Sequence, residues 1–414
     1  MQAMQTFEKI QEYATAVCDQ IKWKKAHAVI SEEIENHLID QRDAYMAGGA
    51  GETAATNKAI VQMGDPIAIG TQLDRTHRPK PQWSMMLLTA ALLFTGFLIR
   101  ILIVNNGSSP WPMPMQLISA VIGLGLMAAA YFTDFTLIGK YPKAIYFSIL
   151  ALSVAALIIL RSGDTPDFRA GLMALLFPLG FAAIVYAVRN KGYSGIILCG
   201  MSFLLPACIA LLVPTVSGFL LFAVSGLVIL SIAISKRWFK VKILYGYLLV
   251  FMPVAVVFLL GALNMSHDSY RWERLQVAID PSIDPNGAGY MGMLIRTLLK
   301  GSKLVGHGVM PAAATVVPWS GNDTDYLLTS LIFNIGWIAF IIVMGALLFF
   351  IVKGFLLCFR QRSGLALFVS ASVMLTFTIQ VIGYVAANLG FQLTAPISLP
   401  LLSHGNIATI INLR

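Results

Sequence analysis

Residues 270–337 decide how this chain is read. They run Tyr270-Arg271-Trp272-Glu273-Arg274, then Asp280-Pro281 and Asp284-Pro285, then Gly287-Ala288-Gly289-Tyr290 and Gly301-Ser302-Lys303-Leu304-Val305-Gly306-His307-Gly308. They end on Asp323-Thr324-Asp325-Tyr326, at the mouth of an apolar run. This is the one long polar segment in an apolar chain, and it gathers most of the carboxylates, histidines and non-terminal arginines that can do chemistry. A loop of this length between apolar segments is more often functional than a passive connector.

Outward from that loop the chain is too apolar for a soluble domain. Of 414 residues 57% are hydrophobic and 12% charged, against about 25% charged in soluble proteins, and the mean hydropathy is +0.75. The composition specifies an all-α polytopic membrane protein. The net charge of +9 comes from Lys and Arg scattered over short loops, a pattern of topology signals rather than a binding face, so no nucleic-acid partner is expected. Cys18, Cys199, Cys208 and Cys358 show no paired metal spacing, and three lie in or beside apolar runs; neither a disulfide nor a zinc site is expected. No signal peptide is expected either, because the first eighty or so residues are polar and the first apolar run lacks a cleavage site.

About ten apolar segments are long enough for a hydrocarbon core of roughly 30 Å. They lie near 85–104, 115–133, 143–160, 169–188, 193–212, 214–234, 243–263, 326–352, 364–387 and 395–412. Only Val213-Pro214-Thr215 separates the fifth from the sixth, which predicts a tight hairpin. Lys140 and Lys143, Arg189 and Lys191, Lys236, Arg237, Lys240 and Lys242, and Lys353, Arg360 and Arg362 fall in alternate loops. The positive-inside rule then puts both termini in the cytoplasm and the loop 264–325 outside it.

Residues 1–80 read as a separate helical module. Phe7, Ile10, Tyr13, Ala14, Val17 and Ile21 recur at helical spacing, as do Ile30, Ile34, Leu38 and Tyr45. Gly48-Gly49 ends the second helix, Glu52 to Met63 forms a third, and Gly64-Asp65-Pro66 precedes a short fourth from Ile67 to Leu73. His27 and His37 have no partner at metal spacing. The run Glu32-Glu33-Ile34-Glu35-Asn36-His37-Leu38, with Ala59-Ile60 and Met63-Gly64-Asp65-Pro66, resembles the HAAS-type prefix domain found ahead of some bacterial permeases and membrane regulators.

The remainder, 81–414, resembles the SEDS family, the RodA- and FtsW-type proteins of bacterial shape, elongation, division and sporulation. The match is carried by Arg274, Asp280-Pro281, Asp284-Pro285, Gly289-Tyr290, Gly306-His307-Gly308 and Thr324-Asp325-Tyr326, with Gly336 closing the turn of the next helix. Gln380, Asn388-Leu389-Gly390, Leu399-Pro400 and Ser403-His404-Gly405 repeat it near the end. Gly123-Leu124-Gly125-Leu126-Met127, leading to Asp134-Phe135, agrees as well.

The resemblance implies a ten-helix membrane domain that polymerises lipid II, an undecaprenyl-diphosphate-linked precursor, into glycan strands. It also implies a single-span class B penicillin-binding transpeptidase as partner. Asp325 stands at the family's catalytic aspartate, as the base for the attacking sugar hydroxyl; the competing reading is a cap on the helix that begins at Tyr326. Arg271, Arg274, Lys303 and His307 are candidates to face diphosphate, against a plain reading as solvated loop charges. Asp323, Thr324, Ser403 and His404 complete the expected substrate-binding set. No metal cluster is visible, although a divalent cation, Mg or Mn, could bridge Asp325 and diphosphate.

The chain departs from the family pattern where that family has GARRW, QPSE and PDLG segments. Here the text is Arg161 to Arg169, then Met173-Ala174-Leu175-Leu176, and Pro214-Thr215-Val216-Ser217-Gly218. The alternative to an enzyme is therefore a non-catalytic scaffold or precursor sensor that binds a transpeptidase. A secondary transporter fits less well, because spans two to ten carry almost no buried ionisable residue to couple to an ion.

Overall fold

The computed structural model describes residues 2–21, 24–77, 82–104, 121, 125, 136–162, 165–166, 168–213, 216–267, 269–309, 325–361 and 363–402. The chain divides into two compact units, Met1–Trp83 and Ser84–Arg414.

The first unit contains four helices, α1 (Gln2–Asp19), α2 (His27–Ala47), α3 (Glu52–Met63) and α4 (Pro66–His77). Ile10, Ala14 and Val17 of α1 meet Ile30, Ile34 and Leu38 of α2 and Ala59 of α3 in one apolar core. Phe7, expected on the inner stripe, is instead exposed. Gly49 (φ 88°) turns the chain out of α2. Gly64 (φ 97°) does the same after α3, and its carbonyl accepts from the Tyr13 hydroxyl at 2.9 Å. Asp65 accepts from the Ala68 amide at 3.2 Å and Pro66 supplies a first-turn residue with no N–H to satisfy, so α4 starts cleanly. It runs to His77, beyond the short helix expected at Ile67 to Leu73.

Among the described residues of the second unit, seven helices are long and apolar enough to cross a membrane: Pro142–Ile159, Ala170–Ala187, Gly192–Leu211, Ser217–Ser235, Ile243–Gly261, Trp337–Phe359 and Gly364–Asn388. In chain order the elements are α5 (Trp83–Val104), α6 (Thr136–Lys140), α7 (Pro142–Ile159), a 3-10 stretch Phe168–Leu176 running into α8 (Phe177–Ala187), α9 (Gly192–Leu211) and α10 (Ser217–Ser235). Then follow α11 (Ile243–His267), α12 (Ser269–Ile279), α13 (Tyr290–Lys300), α14 (Leu327–Asn334), α15 (Trp337–Phe359) and α16 (Gly364–Asn388). A two-residue antiparallel ladder pairs Arg161–Ser162 with Thr165–Pro166.

Burial sorts these helices into inner and outer positions. The span ending in α8 buries 67% of its residues, and α10 and α16 each bury 56%, whereas α11 buries 11%. The inner three share a core in which Phe181 and Phe222 are fully buried. Phe203 stacks on Phe222 with ring centroids 4.5 Å apart. The outer faces of α7, α11 and α15 present Leu, Ile, Val and Phe outward, as lipid-facing surfaces do.

Three expectations change. The span expected at 326–352 is two helices, α14 and α15, parted at Ile335-Gly336. The loop expected at 264–325 carries helices α12 and α13 and the 3-10 turn Pro281–Ile283, so its first part is a folded element. Residues 395–402, the described start of the last expected span at 395–412, are not helical. The segment expected at 115–133 and the Asp134-Phe135 pair lie outside the described residues, apart from 121 and 125, and so do 403–414.

Candidate active site

The polar segment folds on itself before it reaches Asp325. Asp284 accepts from the amides of Gly287 (3.0 Å) and Ala288 (2.7 Å), closing the Asp-Pro-Asn-Gly turn with its own side chain. Asp280 accepts from the Ser282 amide (3.2 Å) and hydroxyl (2.7 Å), with Arg296 Nη1 at 3.6 Å. Both are local Asx-type bonds that replace missing backbone partners. A Cβ on Gly289 would lie 2.3 Å from the Pro281 carbonyl, so this turn admits only glycine there. The Asp280 carboxyl is held below its ordinary range, chiefly by the Ser282 hydroxyl and amide and then by Arg296. These carboxylates shape the turn from α12 into α13.

The break between α14 and α15 has an equally specific cause. Gly336 has φ 118° and ψ 171°, a conformation essentially restricted to glycine. Parting one helix into two leaves backbone groups without intrahelical partners, and the Lys303–Gly308 segment takes them up. Gly308 N–H donates to Phe333 O (2.7 Å) and Gly306 N–H to Ile335 O (2.8 Å), while Trp337 N–H donates to Lys303 O (3.1 Å) and Ile338 N–H to Leu304 O (3.2 Å). The His307 ring meets Phe333 edge to face at 4.9 Å.

At the opposite end of α14 lies Asp325, half-buried at the entry to a wholly buried turn. Here the polar groups of α16 converge. Asn388 and Tyr384 are both fully buried. Asn388 Oδ1 accepts from the Thr329 amide (3.0 Å) and from its hydroxyl (3.2 Å). Asn388 Nδ2 donates to the Asp325 carbonyl (3.0 Å) and to Tyr384 O (2.9 Å). The Tyr384 hydroxyl accepts from the Leu327 amide at 2.9 Å. Two first-turn N–H groups of α14 are thus satisfied from another helix, a cap in trans. Tyr326 donates from its hydroxyl to Gln392 Oε1 at 3.3 Å, and the Gln392 main-chain N–H donates to Ala278 O at 3.1 Å, tying the end of α12 to the same knot.

The expected site residues therefore separate into groups. Arg274 is exposed on α12, one turn before Ala278. Lys303 and His307 are exposed on the segment that seals the α14–α15 break. That places them the length of α14 from the Asp325 main chain, about 12 Å at 1.5 Å per residue. Arg271 lies in α12, but its side chain is outside the described residues; so are Asp323, Thr324, Ser403 and His404. Among the described residues no three His, Cys, Asp or Glu side chains gather as a metal site.

Tyr384, Gln392 and Thr329 were not expected at the site. The available signal was periodicity, since Gln380, Tyr384 and Asn388 recur every four residues in an otherwise apolar span and so share one helix face. The segments that depart from the family pattern also meet. A Cβ on Gly218 would lie 2.9 Å from the Ala174 Cβ, so apolar packing fills the place where the 3-10 stretch approaches the start of α10.

The profile of the FtsW/RodA/SpoVE family, described as cell cycle proteins, matches residues 170–414. Peptidoglycan glycosyltransferase MrdB of Escherichia coli K12 is 22% identical over 226 residues, which are 54% of this chain and 58% of MrdB. MrdB of Shigella flexneri gives the same figures. The chain thus spans little more than half the length of the curated relatives it matches. A chain of a solved peptidoglycan synthase complex, described as coordinating polymerization and crosslinking, superposes with a TM-score of 0.62 at 18% identity, covering 80% of this chain and 94% of that one. The rod shape determining protein RodA of Thermus thermophilus superposes at 0.51 with 15% identity, covering 80% and 93%. These structural likenesses speak for the fold, and the profile, which covers more than half of the chain, speaks for descent: the chain belongs to the FtsW/RodA/SpoVE family of cell cycle proteins.

Proposed function

We propose that this protein is a peptidoglycan glycosyltransferase that polymerises lipid II into glycan strands at the outer face of the cytoplasmic membrane, in elongation, division or sporulation. Family membership and relatives named for that activity support the reaction class. The observation that carries the reading at residue level is the hold on Asp325: its carbonyl is fixed by a buried amide, Asn388, while its side chain stays half exposed at the mouth of an apolar helix. A base must be held in place and still reach a bulky substrate.

In this reading the Asp325 carboxylate takes the proton from the acceptor sugar hydroxyl. The hydroxyl oxygen bonds to the anomeric carbon of the donor, and the undecaprenyl diphosphate leaves with the electron pair of the broken C–O bond. Arg271, Arg274, Lys303 and His307 offset the developing charge on the diphosphate. Asp323, Thr324, Ser403 and His404 are assigned to substrate contacts, and Mg or Mn to added charge compensation when bound. Both termini lie in the cytoplasm, residues 1–80 form a HAAS-like prefix domain, and a single-span class B penicillin-binding transpeptidase is the partner.

The test is polymerisation of labelled lipid II by the purified full chain, with and without a candidate transpeptidase, in EDTA and in Mg or Mn. Asp325→Ala at equal folded yield is expected to lower the rate by about 10²–10⁴-fold, the contribution of a positioned general base. No strands from wild type with any partner or metal, alongside retained lipid II binding, would overturn the enzyme reading. The protein would then be a non-catalytic scaffold or precursor sensor, the role that the apolar Ala174–Gly218 contact favours.

A further inference from the structure

The Asp325 knot does not use every buried polar group of α16. Gln380 is 2% exposed, and neither its Nε2 nor its Oε1 has a hydrogen-bond partner. Among the described residues it is the one side chain with two such orphaned atoms. A buried amide with no partner keeps its full desolvation penalty, and inside a membrane-spanning bundle polar side chains mark functional positions. The fold gains nothing from Gln380 that an apolar residue would not supply.

Gln380 lines a cavity of about 240 Å³ between α10, α16 and residues 391–397, with Ser217, Leu221, Tyr384, Phe391 and Thr394 among its walls. Ser217 Oγ donates to the Ala395 carbonyl at 2.6 Å, which pins the wall in place and leaves that hydroxyl proton committed. The volume is below the roughly 300–1,000 Å³ of pockets that enclose a whole drug-sized ligand, so it suits one sugar-sized group of a larger molecule. Among the described residues that line it none is charged, so they offer no fixed cation to offset a diphosphate. A glutamine amide offers two donors and two lone pairs, so it matches a group that both donates and accepts, as a hydroxyl or a secondary amide does. A bare acyl chain would leave Gln380 as orphaned as before.

We propose that this cavity binds a neutral, hydroxyl- and acetamido-bearing sugar of a lipid-linked glycan, read by Gln380 through paired amide hydrogen bonds while Phe391 meets the apolar face of the ring. The ligand class rests on the glycosyltransferase reading; the existence of the site rests on the orphaned amide and on the uncharged described residues around it. The site communicates directly with the Asp325 knot, because Tyr384 lines the cavity and its hydroxyl accepts from the Leu327 amide, two residues past Asp325.

The full chain in nanodiscs would be titrated with two probes, lipid II and undecaprenyl diphosphate, which share lipid and diphosphate and differ in the sugars. Gln380→Met keeps the length and removes the hydrogen bonds; Gln380→Asn keeps the amide and withdraws it. The methionine variant is expected to bind lipid II about tenfold more weakly, bind undecaprenyl diphosphate as wild type does, and unfold no more easily without ligand; Gln380→Asn should fall between. Equal lipid II affinity in wild type and Gln380→Met would overturn the proposal and leave the glycosyltransferase reading standing, with waters or acyl chain in the cavity. Loss of both probes in Gln380→Met would also overturn it, showing a structural role. Wild type binding neither probe would sink the functional reading and this ligand assignment together.

Discussion

Asn388 and Gln380 are the same functional group on the same helix, eight residues apart and on one face, and both are buried. Asn388 has its donors and its acceptor engaged, by the Asp325 and Tyr384 carbonyls and by Thr329. Gln380 has nothing. A buried amide that is satisfied belongs to the fold, because removing it strands its partners; a buried amide that is unsatisfied costs stability as it stands. The middle of α16 and its end are therefore under different demands, although in sequence both are single amides in an apolar span.

The largest effect that tests this contrast is expected at Asn388. Asn388→Leu keeps the volume but removes the acceptor of the Thr329 amide and the buried donors to the Asp325 and Tyr384 carbonyls, while the Thr329 hydroxyl keeps the residue 388 main-chain carbonyl at 2.9 Å. At about 1–3 kcal/mol for each buried group that loses its partner, and without strict additivity, a loss of about 2–4 kcal/mol is expected. Thermal unfolding in micelles checks it, with amide hydrogen exchange at Leu327 and Thr329 showing whether the start of α14 loosens first. Polymerisation should fall as well, because Asp325 loses its anchor. If Asn388→Leu and Gln380→Met shift unfolding equally, the contrast between the two amides is broken.

A second variant asks whether α14 is held at one end or at both. At Gly336 an added methyl group would stand 2.4 Å from the Leu304 carbonyl, at a φ of 118° that L side chains rarely adopt. Gly336→Ala is expected to cost about 1–3 kcal/mol and to release the Lys303–Gly308 segment. Proteolysis in that segment, compared with unfolding of the whole unit, measures the release. A variant that frees 303–308 and leaves glycan synthesis intact would show that Asn388 alone holds the base, which sharpens the role assigned to the end of α16.

Much of this was legible in the sequence, and what was not has a common cause. Hydropathy places α7, α9, α10 and α16 within a few residues of their expected bounds, because burial in lipid or core needs only apolar length. In the first unit, Gly48-Gly49 and Gly64-Asp65-Pro66 act through local backbone geometry, so the ends of α2 and α3 can be read directly. The division of 326–352 into α14 and α15 could not, although Gly336 was recognised as a turn position. A break in an apolar helix survives only if another segment takes its orphaned backbone groups, and that segment starts some thirty residues earlier, at Lys303. The partners of Asn388 likewise lie 59 to 63 residues away. The motif around it was visible, but the reason for an amide there exists only in three dimensions.

Asp280 is the solvent-exposed limit of the same contrast: a fully partnered polar group, with Ser282 and Arg296 around it, but in water. Its folded pKa lies below the ordinary 3.8, chiefly through the Ser282 hydroxyl and amide. A depressed carboxyl contributes stability above its unfolded pKa and loses it as pH falls through the folded value. Asp280→Asn should therefore be slightly less stable than wild type at pH 7, and the difference should close as pH drops below 3.8. Denaturant unfolding at pH 7 and at decreasing acid pH reads this directly. Because water competes for every partner of an exposed group, the effect should be the smallest of the three, and a loss as large as that of Asn388→Leu would show that burial is not what separates a structural amide from a surface turn.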